Sequence, residues 1–183
     1  MKSSLIKQLL TELGENPQRE GLQDTPARYL KFLTEATTSK PVSYTTFEAE
    51  SYDEMIVQSG IQFYSLCEHH LVPFFGTAMV AYIPDARIIG LSKLARTVEH
   101  FSHGLQNQER ITTQVCHQLS EVLDAKGVAV ILSARHLCME MRGIKKPGAI
   151  TTTSKLTGVF KSRPETRSEL MQLFQSHEKS GRP

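Results

Sequence analysis

Two short segments concentrate the side chains able to do chemistry. Ser65-Leu66-Cys67-Glu68-His69-His70 and His136-Leu137-Cys138-Met139 together offer two thiols and three imidazoles. Zinc prefers thiolate and imidazole, and a catalytic zinc takes three protein ligands and keeps one position open. Cys67 and His70 are three apart, so a turn after a strand can point both at one ion. His136 and Cys138 are two apart and share one side of an extended segment; one can ligate while the other stays free to move protons. A disulfide between Cys67 and Cys138 is the competing arrangement. An odd count of three cysteines does not make a disulfide scaffold, and a reducing compartment argues against the bridge. Cys116, beside His117 on an amphipathic stretch, reads as core packing. His100 and His103, one helical turn apart, read as surface or packing residues.

A second set of residues suits anions. Gly90-Leu91-Ser92-Lys93-Leu94-Ala95-Arg96 opens a helix, where unpaired N–H groups and the dipole favour negative charge. Lys93 and Arg96 are one turn apart and can reach one phosphate. Arg28 and Lys31 repeat that spacing on an earlier helix, and Arg142 follows the Cys138 segment. Gln108-Glu109-Arg110 starts a further helix. Glu109 there either caps the dipole or faces a nucleobase, since guanine offers N1–H and an exocyclic amino group as paired donors to a carboxylate.

The charge distribution agrees with a small polyanion. Residues 1–85 carry 6 basic and 11 acidic side chains, residues 86–163 carry 12 and 5, and the last twenty balance. The overall pI of about 8.4 is lower than a dedicated nucleic-acid domain shows. No apolar run approaches a membrane span, and the N-terminal MKSSLIKQLLTELGE has no continuous apolar stretch of the secretory kind. The expected compartment is the cytoplasm, with no nucleic-acid or membrane partner.

At 183 residues the chain is one domain with a small appendage. Leu5, Ile6, Leu9, Leu10 and Leu13 predict a helix stopped by Gly14, and Asp24-Thr25-Pro26 predicts a capped helix to about Thr37. The boundary is expected at residue 45, giving an N-terminal helical segment (1–45) and a catalytic domain (46–183). Strands are predicted over Met55–Leu66, Gly76–Ile83, Val128–Ala134 and Thr151–Thr153. Ser92 is expected to cap a helix with Leu94, Val98 and Phe101 on its face. Ile111, Val115, Leu119 and Val122 mark the next helix, and Ser162-x-x-Glu165 resembles a capping box before a last one. The order gives an α+β fold, an antiparallel β-sheet with two helices packed on one face, preceded by N-terminal helices.

Taken in order, D-T-P-A-R-Y-L-K (24–31), S-L-C-E-H-H-L-V-P-F (65–74), I-G-L-S-K-L-A-R (89–96), Q-N-Q-E-R-I-T (106–112) and A-R-H-L-C-M-E-M-R-G (134–143) make the chain resemble GTP cyclohydrolase I, over about residues 22–175. The resemblance implies the tunnelling fold and zinc-dependent opening of the GTP imidazole ring. The product it implies is 7,8-dihydroneopterin triphosphate with formate, a first step of pterin and folate-type biosynthesis. It implies Cys67, His70 and Cys138 as zinc ligands, and His69 and His136 as proton carriers. It implies Ser92, Lys93, Arg96 and Arg142 at the triphosphate, with Arg28 and Lys31 reaching it from another subunit. Gln108 would face the sugar and Glu109 hold the guanine. Assembly would be a homodecamer of two stacked pentamers, with active sites at subunit junctions. The chain departs from the family pattern at His103-Gly104-Leu105, at Asn107, where an apolar residue is usual, and in the Lys145-Lys146-Pro147-Gly148 loop. Three rivals are weaker. A repurposed paralogue would have lost a histidine or a ligand. A nitrile reductase of the same fold has no use for both motifs. A structural zinc module wants four ligands, and one contacting RNA wants aromatic platforms, which a chain with no Trp lacks.

Overall fold

The computed structural model describes residues 2–180. Two compact units divide the chain after Ser39. The first contains α1 (Lys2–Glu12) and α2 (Thr25–Thr37), which pack against each other. Gly14 takes φ 79° just past α1 and ends it, as its position predicts. Asp24 does not cap α2 with its side chain. Its carboxylate instead accepts from the Arg28 guanidinium at 3.0 Å, one turn along the helix.

The second unit runs in the order β1 (Thr46–Glu48), β2 (Ile56–Cys67), β3 (Pro73–Ile83), β4 (Arg87–Ile89), α3 (Leu91–Ser102), β5 (Leu105–Gln106), α4 (Gln108–Leu123), β6 (Gly127–His136), α5 (Leu137–Glu140), β7 (Ile150–Leu156), α6 (Val159–Ser162) and α7 (Pro164–Ser180). The main sheet has the order β5-β2-β3-β6-β7. All its pairs are antiparallel except the short parallel pairing of β5 with β2. The small β1–β4 ribbon and β5 are too short to carry a hydrophobic period, and the sequence does not announce them.

Strand β6 explains the layering. Its first eight residues, GVAVILSA, are all buried, the continuous run expected of a strand covered on both faces. Val128, Val130, Leu132 and Ala134 join the larger core with Leu94 and Val98 of α3 and Ile111, Val115 and Leu119 of α4. Ala129 and Ile131 face the other way, onto Phe160 of α6 and Leu170 of α7. The two expected helices therefore cover one face, and the C-terminal helices close part of the opposite one. Each fully buried Leu or Ile contributes roughly 2 kcal/mol, so the larger cluster dominates the stability.

Two predicted caps resolve differently. Gly90 holds the N-cap position of α3, which puts Ser92 inside the first turn. Ser162 ends α6, and α7 starts at Pro164, whose fixed φ suits a first helical position.

The register of β3 is protected by Gly76, which pairs with Ala134. An added Cβ there would collide with the Ser133 carbonyl and the Ala134 backbone. Gly76→Ala should therefore cost about 3 kcal/mol as an overpacking defect. An early midpoint in chemical denaturation would register it, whereas a wild-type midpoint would mean that these strands do not approach so closely.

Candidate metal centre and active site

Strand β2 delivers Cys67 as its last residue, and a tight turn follows. Cys67 N–H donates to the Val72 carbonyl at 2.9 Å, and the Cys67 carbonyl accepts from His70 N–H at 3.3 Å and Leu71 N–H at 2.9 Å. Leu71 closes the turn at φ 55°, a left-handed conformation that side chains other than glycine adopt at a cost. Across the sheet, Phe74 of β3 pairs with Ser65 of β2 on one side and His136 of β6 on the other. The chain then turns helical at once, and Cys138 sits in the one-turn α5. The extended geometry expected for His136 and Cys138 is thus replaced by a strand end followed by a helical turn, which lets the two side chains leave in different directions.

The result is one group of donors. Ligand atoms of Cys67, His70 and Cys138 all lie within 4.8 Å of one another. Cys67 is buried, Cys138 half-buried and His70 exposed, so the group is closed behind and open in front. All the cysteines are free thiols, and no bridge joins Cys67 to Cys138. Burial, then the neighbouring Cys67 thiol, push the Cys138 thiol upward from its ordinary range. A divalent cation would reverse that balance by deprotonating coordinating thiols. Two sulfurs and one imidazole suit a borderline-soft ion and leave a coordination position free. Cys116 is elsewhere, fully buried, its thiol raised to about 11 by burial. It is inert packing.

His69 lies beside this group, with Nδ1 3.6 Å from the Cys67 sulfur and its ring 6.2 Å from that of His70. His136 is stacked on Phe74, with ring centroids 4.7 Å apart and planes 3° from parallel. Its Nε2 lies 2.8 Å from Oε1 of Gln108. Gln108 is only 1% exposed, and its Nε2 donates to the carbonyls of Leu132 and Thr151, both at 3.0 Å, and to the Thr153 hydroxyl at 3.1 Å. Two of those partners can only accept, so the amide has one admissible orientation. Oε1 must face His136, and His136 Nε2 must carry a proton. The neutral ring is then the Nε2–H tautomer, with its lone pair on Nδ1. Burial lowers the His136 pKa from its ordinary value, and the nearby Glu109 carboxylate opposes that shift.

Gln108 is therefore held inside the fold. Its side chain points from the first residue of α4 into the sheet, where the amide meets Leu132, Thr151, Thr153 and His136. Glu109, next along, is exposed. Ser92 and Lys93 occupy the first turn of α3, and Arg96 follows one turn after Lys93. Arg142 lies just past α5 and is felt at the Cys138 thiol. Among the described residues, none of Lys93, Arg96 and Arg142 is ion-paired. Arg28 and Lys31 are on α2 in the first unit, where Arg28 pairs with Asp24 and Lys31 with Glu35 at 3.8 Å.

Three residues of the site escaped the sequence. Glu68 accepts from Asn107 Nδ2 at 3.0 Å and takes both terminal nitrogens of Arg110, at 2.7 and 3.1 Å. Those donors, Arg110 first, hold the Glu68 carboxyl below its ordinary range. The available signal was Glu68 itself, an acid wedged between metal donors.

An open Cys-His-Cys group at the end of a β-sheet, with a base-like histidine beside it, has the form of a metalloenzyme centre. The chain belongs to the GTP cyclohydrolase I family, whose sequence model matches residues 2–175. It is 52% identical over 175 residues to GTP cyclohydrolase 1 of Sulfurihydrogenibium sp. (strain YO3AOP1), covering 95% of this chain and 94% of that one. It is 51% identical over 177 residues to GTP cyclohydrolase 1 of Chlorobium chlorochromatii (strain CaD3), covering 94% and 79%. Among solved structures, an archaeosine synthase QueF-Like in the apo form aligns at 12% identity with a TM-score of 0.48, over 57% of this chain and 93% of that chain. No helix among the described residues is long and apolar enough to cross a membrane.

The tautomer can be checked directly. Neutron diffraction, or nitrogen chemical shifts of labelled histidine, should find the proton of neutral His136 on Nε2. A proton on Nδ1 would mean that the Gln108 amide is turned the other way.

Proposed function

We propose that the chain opens the imidazole ring of GTP by hydrolysis, releasing formate and forming 7,8-dihydroneopterin triphosphate, with a net consumption of one water. The observation that carries this reading is the convergence of the Cys67, His70 and Cys138 donors within 4.8 Å in a member of this family. Those three residues would hold one zinc ion per chain. When bound, it supplies Lewis-acid activation of water for attack on C8 of guanine.

The chain's own groups do the rest. Glu109 accepts N1–H and the exocyclic amino group of guanine and so presents C8 to the centre. Adenine offers an acceptor at N1 and no amino group at C2, and sites built on such pairing discriminate by roughly 10⁴ or more. His136 takes or returns a proton at Nδ1, while Gln108 holds Nε2. His69 is the second proton carrier. The first turn of α3 has no side-chain cap, so its N–H groups, with Ser92, Lys93, Arg96 and Arg142, receive the triphosphate. Arg28 and Lys31 reach the same phosphates from a neighbouring subunit of a homodecamer built as two pentamers. Residues 46–183 form the catalytic domain and residues 1–45 its helical extension, in a cytoplasmic enzyme.

Zinc-loaded protein incubated with GTP should yield formate and, after oxidation, a fluorescent pterin in equal amounts. Neither product from protein carrying one zinc per chain would overturn the reading. Glu109→Gln should lower turnover by about 10²–10³-fold, the cost of losing one oriented charge-stabilising contact, with zinc content and oligomer mass unchanged. Near wild-type turnover in that variant would reduce Glu109 to a helix cap.

A further inference from the structure

The metal turn and the start of α4 are joined by a closed polar ring. Asn107 is the N-cap of α4, and its Oδ1 accepts the Arg110 backbone N–H at 2.8 Å. Its Nδ2 donates to Glu68 Oε1 at 3.0 Å. The Arg110 guanidinium then grips both oxygens of Glu68, at 2.7 and 3.1 Å. The same Arg110 Nη1 approaches the Leu105 carbonyl and Gln106 Oε1, both at 3.4 Å. On the backbone side, Glu68 N–H donates to the Gln106 carbonyl at 2.9 Å, and Cys67 pairs with Gln106 in the parallel strands.

This arrangement has a consequence for geometry. Glu68 stands between Cys67 and His69-His70, and Glu109 stands between the cap residue and Arg110. The ring therefore ties the turn that carries two metal donors to the turn that carries the exposed carboxylate. A carboxylate with three charge-assisted or amide donors has little freedom left, and a planar guanidinium fork fixes direction as well as distance. An apolar residue at position 107 could neither cap α4 nor touch Glu68 with a donor.

We propose that Asn107 is a positioning residue. Its amide bridges the N-terminus of α4 to Glu68 and so holds the Cys67–His70 turn at a fixed offset from Glu109. The proposal rests on the metal reading of Cys67, His70 and Cys138.

The two halves of the amide can be separated. Asn107→Ser keeps a side-chain oxygen suited to capping and is too short to donate to Glu68. Asn107→Asp keeps the cap and sets a carboxylate against Glu68. Zinc affinity of the full chain, measured by chelator competition, is the first readout. The ligand-field spectrum of the cobalt-substituted chain is the second, and the thermal midpoint the third. Groups hydrogen-bonded directly to a metal ligand are worth about 10–100-fold in affinity, and Asn107 acts one contact further out, through Glu68, so the low end of that range applies. Asn107→Ser should thus bind zinc about 10-fold more weakly and show a shifted cobalt spectrum with little change in midpoint. Asn107→Asp should be weaker still. Wild-type zinc affinity and cobalt spectrum in both variants would overturn the proposal and leave Asn107 a helix cap only. If the wild-type chain itself binds neither zinc nor cobalt, the metal reading falls and the proposal with it.

Discussion

The register of β3 between its two neighbours is the constraint on which the site depends. Phe74 is paired to Ser65 on one side and to His136 on the other, so one strand sets where β2 and β6 both end. A slip of one residue would turn every side chain of β3 to the other face, taking Phe74 from beneath the His136 ring. Cys67 and Cys138 are 71 positions apart in the chain, and only this pairing brings their sulfurs into one group. Burial of alternate β3 residues in two separate cores, Ala78, Val80 and Tyr82 on one face and Met79 and Ala81 on the other, makes that slip costly.

The polar interior is built outward from the same point. Gln108 plugs the gap between α4 and the sheet, with Thr112 and Thr153 completing its surroundings. A buried amide is tolerated only when its hydrogen bonds are made, and here they are made in a way that also fixes a histidine. The adjoining Glu68–Arg110–Asn107 contacts lie closer to solvent. Their role is orientation, since exposed ion pairs contribute little to stability.

Much of this was legible in the residues. The Cys67–His70 spacing, the turn between strands and the amphipathic faces of α3 and α4 follow from type and period. Other features did not follow, for physical reasons. Cys138 was expected on an extended segment, but a helical turn begins at Leu137 directly after a strand, and four residues are too few to show a period. Gln108 and Glu109 are adjacent and both polar, and nothing in their types says that one is buried and the other exposed. Asp24 and Ser92 have good capping side chains, yet Asp24 is drawn to Arg28 and α3 starts one residue before Ser92. Strand β5, two residues long, carries no pattern, though it anchors the metal turn.

On the proposed reading, Cys67, His70 and Cys138 hold one metal ion and leave one coordination position open. X-ray absorption at the zinc edge of the loaded chain tests it most directly. The expected first shell is two sulfurs at about 2.3 Å with one imidazole nitrogen and one further light atom at about 2.0–2.1 Å. A shell without sulfur, or one with four protein ligands, would contradict it.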